Sequence, residues 1–158
     1  MTQIIRIGFT GTRNGMTSLQ IRGVHAYMLG TNRVYESNRE VAGIEGHHGD
    51  CLGADHEFHV LAVVLGWRTF AHPPDNYRVR AWCRADVVLP ERDYLERDRD
   101  IVLAADGGLL AAPAGTAPEP HSGTWATIRF AVRAGRPATI IFPDGRMAYG
   151  TEFFPAAA

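Results

Sequence analysis

"GLLAAPAGTAPEPHSGTWATIRFAVRAGRPATIIFP", residues 108–143, is the stretch whose reading decides the fold. An apolar run of strand length, 108–113, gives way to a proline-rich loop. Ser122, Gly123 and Thr124 then open a helical run over 123–134 that Gly135 stops. A β-branched run, 136–143, follows and ends on proline. Strand, helix and strand in this order read as one crossover unit between parallel strands.

The same alternation continues upstream. "QIIRIGF" (3–9) predicts a strand and "TGTRNGM" a glycine turn. A helix is expected over 17–30, with Thr17 and Gln20 at capping-box spacing and Gly30 as its stop. "TNRVYESNRE" reads as a polar connector, 41–49 as a strand, 52–66 as a helix and 67–74 as a strand ended by two prolines. Residues 75–91 read as irregular, and 93–107 as a helix capped by Asp93. The tail beyond Gly145 carries no clear pattern. The expected fold is α/β: a Rossmann-like three-layer sandwich around a mostly parallel sheet of about five or more strands. Right-handed crossovers gather the strand-to-helix loops at one sheet edge, where ligands of such folds bind.

Composition sets the bounds. The 158 residues suit one domain spanning 1–158. A formal net charge of -1 supplies no global field for nucleic acid, so a nucleic-acid partner is not expected. Two cysteines and seven histidines show neither a CxxC nor an HExxH spacing, so neither a metal nor a cofactor is expected. No apolar run reaches ~18 residues and no leader pattern opens the chain, so the expectation is a cytoplasmic domain off the membrane.

Four loops should meet at the sheet edge. In "FTGTRNG" (9–15), Thr10, Gly11, Thr12 and Arg13 offer close backbone approach, hydroxyls and a guanidinium to an anion. In "HHGDCLGAD" (47–55), Gly49 and Gly53 bracket a helix start, and Asp50 or Asp55 is placed to take ribose hydroxyls. Asp50 has a second reading as a helix cap, and His47 and His48 as packed or solvated strand-end residues. In the third stretch Tyr77 and Trp82 are candidates to cover a base, and Arg78, Arg80 and Arg84 to face phosphate. There Arg97 either serves the site or bridges to Asp93 or Asp100 on neighbouring turns. In the fourth, Ser122, Gly123, Thr124 and Thr127 follow Pro113 at the end of the strand and present hydroxyls and free N–H groups.

Taken together, "GFTGTR", "GDCLGAD", "YLERDRDIVLAAD", "LLAAP" and "SGTWATIRFAVRAGRP" leading to "IIFPDG" resemble the SLOG superfamily. It groups the DNA-processing protein A fold with the lonely-guy nucleotide phosphoribohydrolases. The resemblance covers roughly residues 4–145. Lonely-guy enzymes share Glu-Arg-Lys on one helix and Gly-Gly-x-Gly-Thr-x-x-Glu after the next strand, and the Arg and the last Glu form their catalytic pair. Glu96 and Arg97 match the first element, and Gly123 and Thr124 match the Gly-Thr, but the catalytic Glu position is Thr127. Threonine is a poor base, and loss of a positioned acid or base costs ~10²–10⁴-fold.

The resemblance therefore implies a nucleotide or nucleotide-derived ligand held at the sheet edge, with Arg97, Gly11, Gly123 and Thr124 at its phosphate. The alternative it implies is a nucleoside 5′-monophosphate N-glycosidase using Arg97 with Asp50 or Asp55, or Glu119, as the substitute carboxylate. DNA handling ranks below both on the charge balance. A homodimer or larger homo-oligomer is the assembly the resemblance suggests.

Overall fold

The computed structural model describes residues 2–156. Seven strands, β1 (Gln3–Gly11), β2 (Val41–His48), β3 (Arg68–Ala71), β4 (Val87–Val88), β5 (Leu109–Ala112), β6 (Ala138–Ile141) and β7 (Met147–Tyr149), form one sheet. Their order is β4-β3-β2-β1-β5-β6-β7. All neighbours run parallel except β7, which is antiparallel to β6. Helices α1 (Ser18–Ser37), α2 (Ala54–Val64), α3 (Tyr94–Ala104) and α4 (Gly123–Arg133) make the crossovers.

The run "LLAA" of β5 shows why the sheet is covered on both faces. Alternate residues of a strand point to opposite sides. Leu110 and Ala112 join Val24 and Met28 of α1 and Phe58 of α2. Leu109 and Ala111 join Ile101 of α3 with Trp125 and Ile128 of α4. The result is the expected three-layer sandwich. Because β1 pairs with β2 on one side and β5 on the other, the loops after β1 and β5 leave in opposite directions. A crevice opens between them, the position where open α/β sheets take ligands.

Three local expectations need correction. First, α1 does not stop at Gly30 but runs two further turns to Ser37. Asn32 explains this, because its side chain donates to the Leu65 carbonyl (3.4 Å) and accepts from the Trp67 indole (2.6 Å). Packing against the turn after α2 outweighs the glycine. Second, the stretch 75–91 holds a short 3₁₀ turn at Tyr77–Val79 and the edge strand β4. Third, the tail supplies β7, and Gly150 behind it lies so close that a Cβ would meet Val132 at 2.7 Å.

The capping box expected at α1 is present: Thr17 accepts from the Gln20 backbone N–H, and the Gln20 side chain accepts from the Thr17 N–H. Gln20 also donates from Nε2 to the carbonyls of Pro113 (2.9 Å) and Ile141 (2.8 Å). One buried amide thus ties the start of α1 to the ends of β5 and β6. Gln20→Met keeps the volume but strands two buried carbonyls, each carrying a desolvation cost. We expect a loss of about 2–4 kcal/mol, read as a lower urea midpoint at an unchanged m-value.

Candidate functional site

A cavity of about 460 Å³ fills the crevice. From β1 and its loop, Phe9, Thr10, Gly11, Thr12 and Arg13 line it; Gly49, Cys51 and Asp55 come from the β2–α2 connection. Tyr94, Arg97, Asp98 and Ile101 of α3 form a third wall. The loop after β5 contributes Glu119 and His121, and the start of α4 contributes Ser122, Gly123 and Thr124. Most of the expected site residues are therefore brought together.

The local chemistry explains how. Thr12 donates its N–H to Ala112 of β5 (2.9 Å), while its carbonyl accepts from Ala54 N at the start of α2 (2.9 Å). Gly11 is required by close packing, since a Cβ there would meet the Ala54 Cβ at 2.5 Å. Ser122 caps α4 by accepting from the Trp125 N–H (3.3 Å), so the first turn of that helix faces the cavity. Arg13 is exposed at the rim and makes no ion pair among the described residues.

Arg97 is the buried cation of the site, only 6% exposed. It donates to the Gly49 carbonyl, to the His72 carbonyl (3.4 Å), to Cys51 Sγ (3.3 Å) and to Asp98 Oδ1 (2.8 Å). Neither partner suggested by helix spacing holds it: Asp93 caps α3, and Asp100 pairs with Arg92 at 2.7 Å. Gly49 allows the approach, because a Cβ there would lie 2.8 Å from Arg97 Cζ and 2.9 Å from Asp55 Oδ2.

Several expected site residues stand elsewhere. Asp50 does not line the cavity. It is fully buried in a left-handed conformation (φ 52°), with its carboxylate taken by Arg80 Nε (3.0 Å) and Cys83 N–H (2.8 Å). This removes it as the ribose or catalytic carboxylate, and it removes Arg80 as a phosphate ligand. Gly53 is a structural hinge (φ 89°) pressed against the Arg13 carbonyl. Pro113 offers its carbonyl to Gln20 and is likewise outside the cavity. The single hydroxyl proton of Thr127 is shared between the Gly123 carbonyl (2.7 Å) and Asp98 Oδ2 (3.2 Å), and the side chain faces a separate groove. Tyr77 and Trp82 also leave the site: Tyr77 donates to Glu91 (3.1 Å) and Trp82 lies against the Arg80 guanidinium (3.8 Å).

Asp98 is the functional candidate that the sequence reading missed. Its one signal was its place beside Arg97, where the resembling signature has a lysine. Burial pushes its carboxyl up, against the pull of Arg97 and the Thr127 hydroxyl. Asp55 is pushed up to about 7, first by burial, with Arg97 and the Cys51 N–H opposing. Burial also raises the Cys51 thiol, so it stays protonated and is no nucleophile.

Beneath the site lies a histidine cluster. His47 Nδ1 meets His72 Nε2 at 2.9 Å, and His48 Nε2 meets His59 Nδ1 at 3.0 Å. Burial lowers all four, His72 to about 3, so they are neutral. The ligand atoms of His48, His59 and Cys83 lie within 4.8 Å of one another. The donor set does not suit a metal, however. Asp50 N–H donates to His48 Nδ1 (3.1 Å), which puts the proton of the neutral ring on Nε2, and that N–H is given to His59.

Asp55 makes a testable contribution to stability. Its folded value of about 7 lies above the ordinary 3.8, so between these the folded chain holds a proton that the unfolded chain releases. Stability from this group is therefore lost as pH rises from about 4 to about 7. Asp55→Asn removes the effect while keeping the acceptor for Cys51 N–H. The variant should gain on the wild type across that window, in urea melts run at successive pH values. A constant difference would show that Asp55 titrates normally.

No family model matches the chain, and no curated protein matches it in sequence. Solved structures do. A molybdenum cofactor binding protein from the phototrophic bacterium Rippkaea orientalis superimposes with TM-score 0.65 at 17% identity, over 90% of this chain and 78% of that one. TM1055, a structural-genomics target, gives 0.54 at 15% identity, over 87% and 72%. The molybdenum cofactor carrier protein MCP from Chlamydomonas reinhardtii gives 0.53 at 20% identity, over 87% and 76%. The chain is thus a Rossmann-like α/β protein that shares its fold with these three.

Proposed function

We propose that this chain holds a nucleotide, or a small phosphorylated molecule built like one, in the cavity between the ends of β1 and β5. The supporting observation is that one cavity collects an unpaired guanidinium, Arg13, and the capped first turn of α4 at Gly123 and Thr124. Free N–H groups at a helix start favour a phosphate, and an unpaired arginine adds charge-assisted hydrogen bonds. Phe9, Tyr94 and Ile101 supply apolar wall for a ring. SLOG membership, proposed from the motifs, fits this placement. Two of the fold neighbours bind or carry the molybdenum cofactor, which puts that compound beside the nucleoside monophosphates as a candidate ligand.

A second reading, cleavage of an N-glycosidic bond, is favoured by Asp98. Its carboxylate receives the Thr127 hydroxyl at 3.2 Å, so it stands next to the position where the resembling enzymes carry Glu. The carboxylate lost from α4 is replaced from α3. In this reading the C–N bond breaks as Asp55, protonated near neutrality, gives its proton to the departing base; Asp98 stabilises the electron-poor sugar, and water adds to the anomeric carbon and returns a proton to the Asp55 carboxylate.

The test is calorimetric titration with nucleoside 5′-monophosphates and with the molybdenum cofactor, alongside chromatography for released base. Binding of at least one without base release is expected. Arg13→Ala should weaken it by about tenfold or more, the loss of a charged hydrogen-bond donor. Affinity should fall as pH rises through about 7, because an anion beside Asp55 favours its protonated form. Base release that vanishes in Asp98→Asn would install the second reading. Failure of every phosphorylated compound to bind would overturn both.

A further inference from the structure

A groove of about 180 Å³ runs along the seam of α3 and α4, on the far side of Asp98 from the cavity. Arg99 of α3 and Arg129 and Arg133 of α4 line it, over a floor of Leu95 and Phe130. None of the three arginines has an acidic partner among the described residues. The other acidic side chains of α3 are already committed: Glu96 and Asp100 hold Arg92, and Asp98 holds Arg97. Two of the free arginines are positioned by aromatic rings instead. Arg99 lies 5.3 Å over the Phe130 ring, and Arg129 lies 5.1 Å over the Phe154 ring.

That arrangement has a chemical meaning. A carboxylate partner would neutralise a guanidinium and occupy its N–H groups. An aromatic face orients it and leaves both charge and donors free. Arg129 and Arg133 stand one turn apart on α4, and Arg99 comes from α3 across the seam, so all three line one groove. The charge of Asp98 at the groove's end is answered by its ion pair with Arg97 (2.8 Å).

We propose that the α3–α4 groove is a second anion site, separate from the cavity, for a compact phosphate or pyrophosphate group. Three arginines with planar donor forks suit such a group, and the volume excludes a nucleotide base and sugar together. The group belongs to a molecule of its own and is not the far end of a ligand seated in the cavity, because Asp98, which lines both spaces, forms the wall between them. The inference does not rest on the reading of the cavity.

Pyrophosphate titrated into ¹⁵N-arginine-labelled protein, at constant ionic strength set with chloride, tests it. The Nε–H signals of Arg99, Arg129 and Arg133 should move together and saturate. The double variant Arg129→Gln/Arg133→Gln, one position half-buried and the other exposed, should lower the affinity by about tenfold or more, as expected for lost charged donors. Its folding is checked by an unchanged melting temperature. In Arg13→Gln the groove signals should still saturate. Linear, non-saturating shifts, or equal binding by the double variant, would overturn the site. Loss of groove binding in Arg13→Gln would also overturn it, by showing one ligand spanning both spaces.

Discussion

A single buried guanidinium organises the mouth of this sheet. Arg97 reaches from α3 to the carbonyls of Gly49 and His72, at the ends of β2 and β3, and to the thiol of Cys51. Burying a cation is costly unless it is paired and its donors are used. Asp98 provides the pair, and the loop carbonyls use the remaining donors. The requirement propagates outward. Position 49 must be glycine for Arg97 to fit, and Cys51 must turn its N–H toward Asp55, which it meets at 3.1 Å. The places of both buried carboxyls therefore follow from the place of one arginine.

This fixes how charge is distributed in the cavity. On the floor, Arg97 is answered by Asp98, and Asp55 holds its proton up to about pH 7. The floor is consequently near-neutral. The uncompensated positive charge lies at the rim, on Arg13, and at the start of α4. Such a division suits a ligand with an apolar or ring-like body and an anionic end. The motif resemblance implies that Arg97 pairs with the phosphate, whereas the Arg97 donors are spent on Gly49, His72, Cys51 and Asp98.

How much of this was legible follows from how local each signal is. The alternation of β-branched runs, glycine stops and capped helices is short-range, so the parallel sheet could be read directly, and so could the meeting of the loops after β1, β2 and β5; the third stretch reaches the cavity only through α3. Tertiary contacts were not. Gly30 looked like a stop because Asn32 gave no sign of the Leu65 and Trp67 contacts that extend α1. Asp50 and Asp55 look alike in "GDCLGAD", yet the left-handed turn at Asp50 sends its carboxylate to Arg80, thirty residues on. Thr127 sits one turn into α4 as expected, but its hydroxyl is committed to the Gly123 carbonyl and to Asp98 on the neighbouring helix. Asp98 itself was masked by Arg97, whose helix-spaced partners were the natural guess. The edge strand β7 is three residues long and gains its place only by pairing with β6.

The central claim is that the anionic end of the ligand is held jointly by the β1 loop and the start of α4. The most direct measurement is a backbone ¹⁵N–¹H titration with inorganic phosphate, the chemistry common to every candidate ligand. The account predicts that the amides of Gly11, Thr12, Arg13, Gly123 and Thr124 shift together and saturate. Shifts confined to other parts of the surface, with these five amides unmoved, would contradict it.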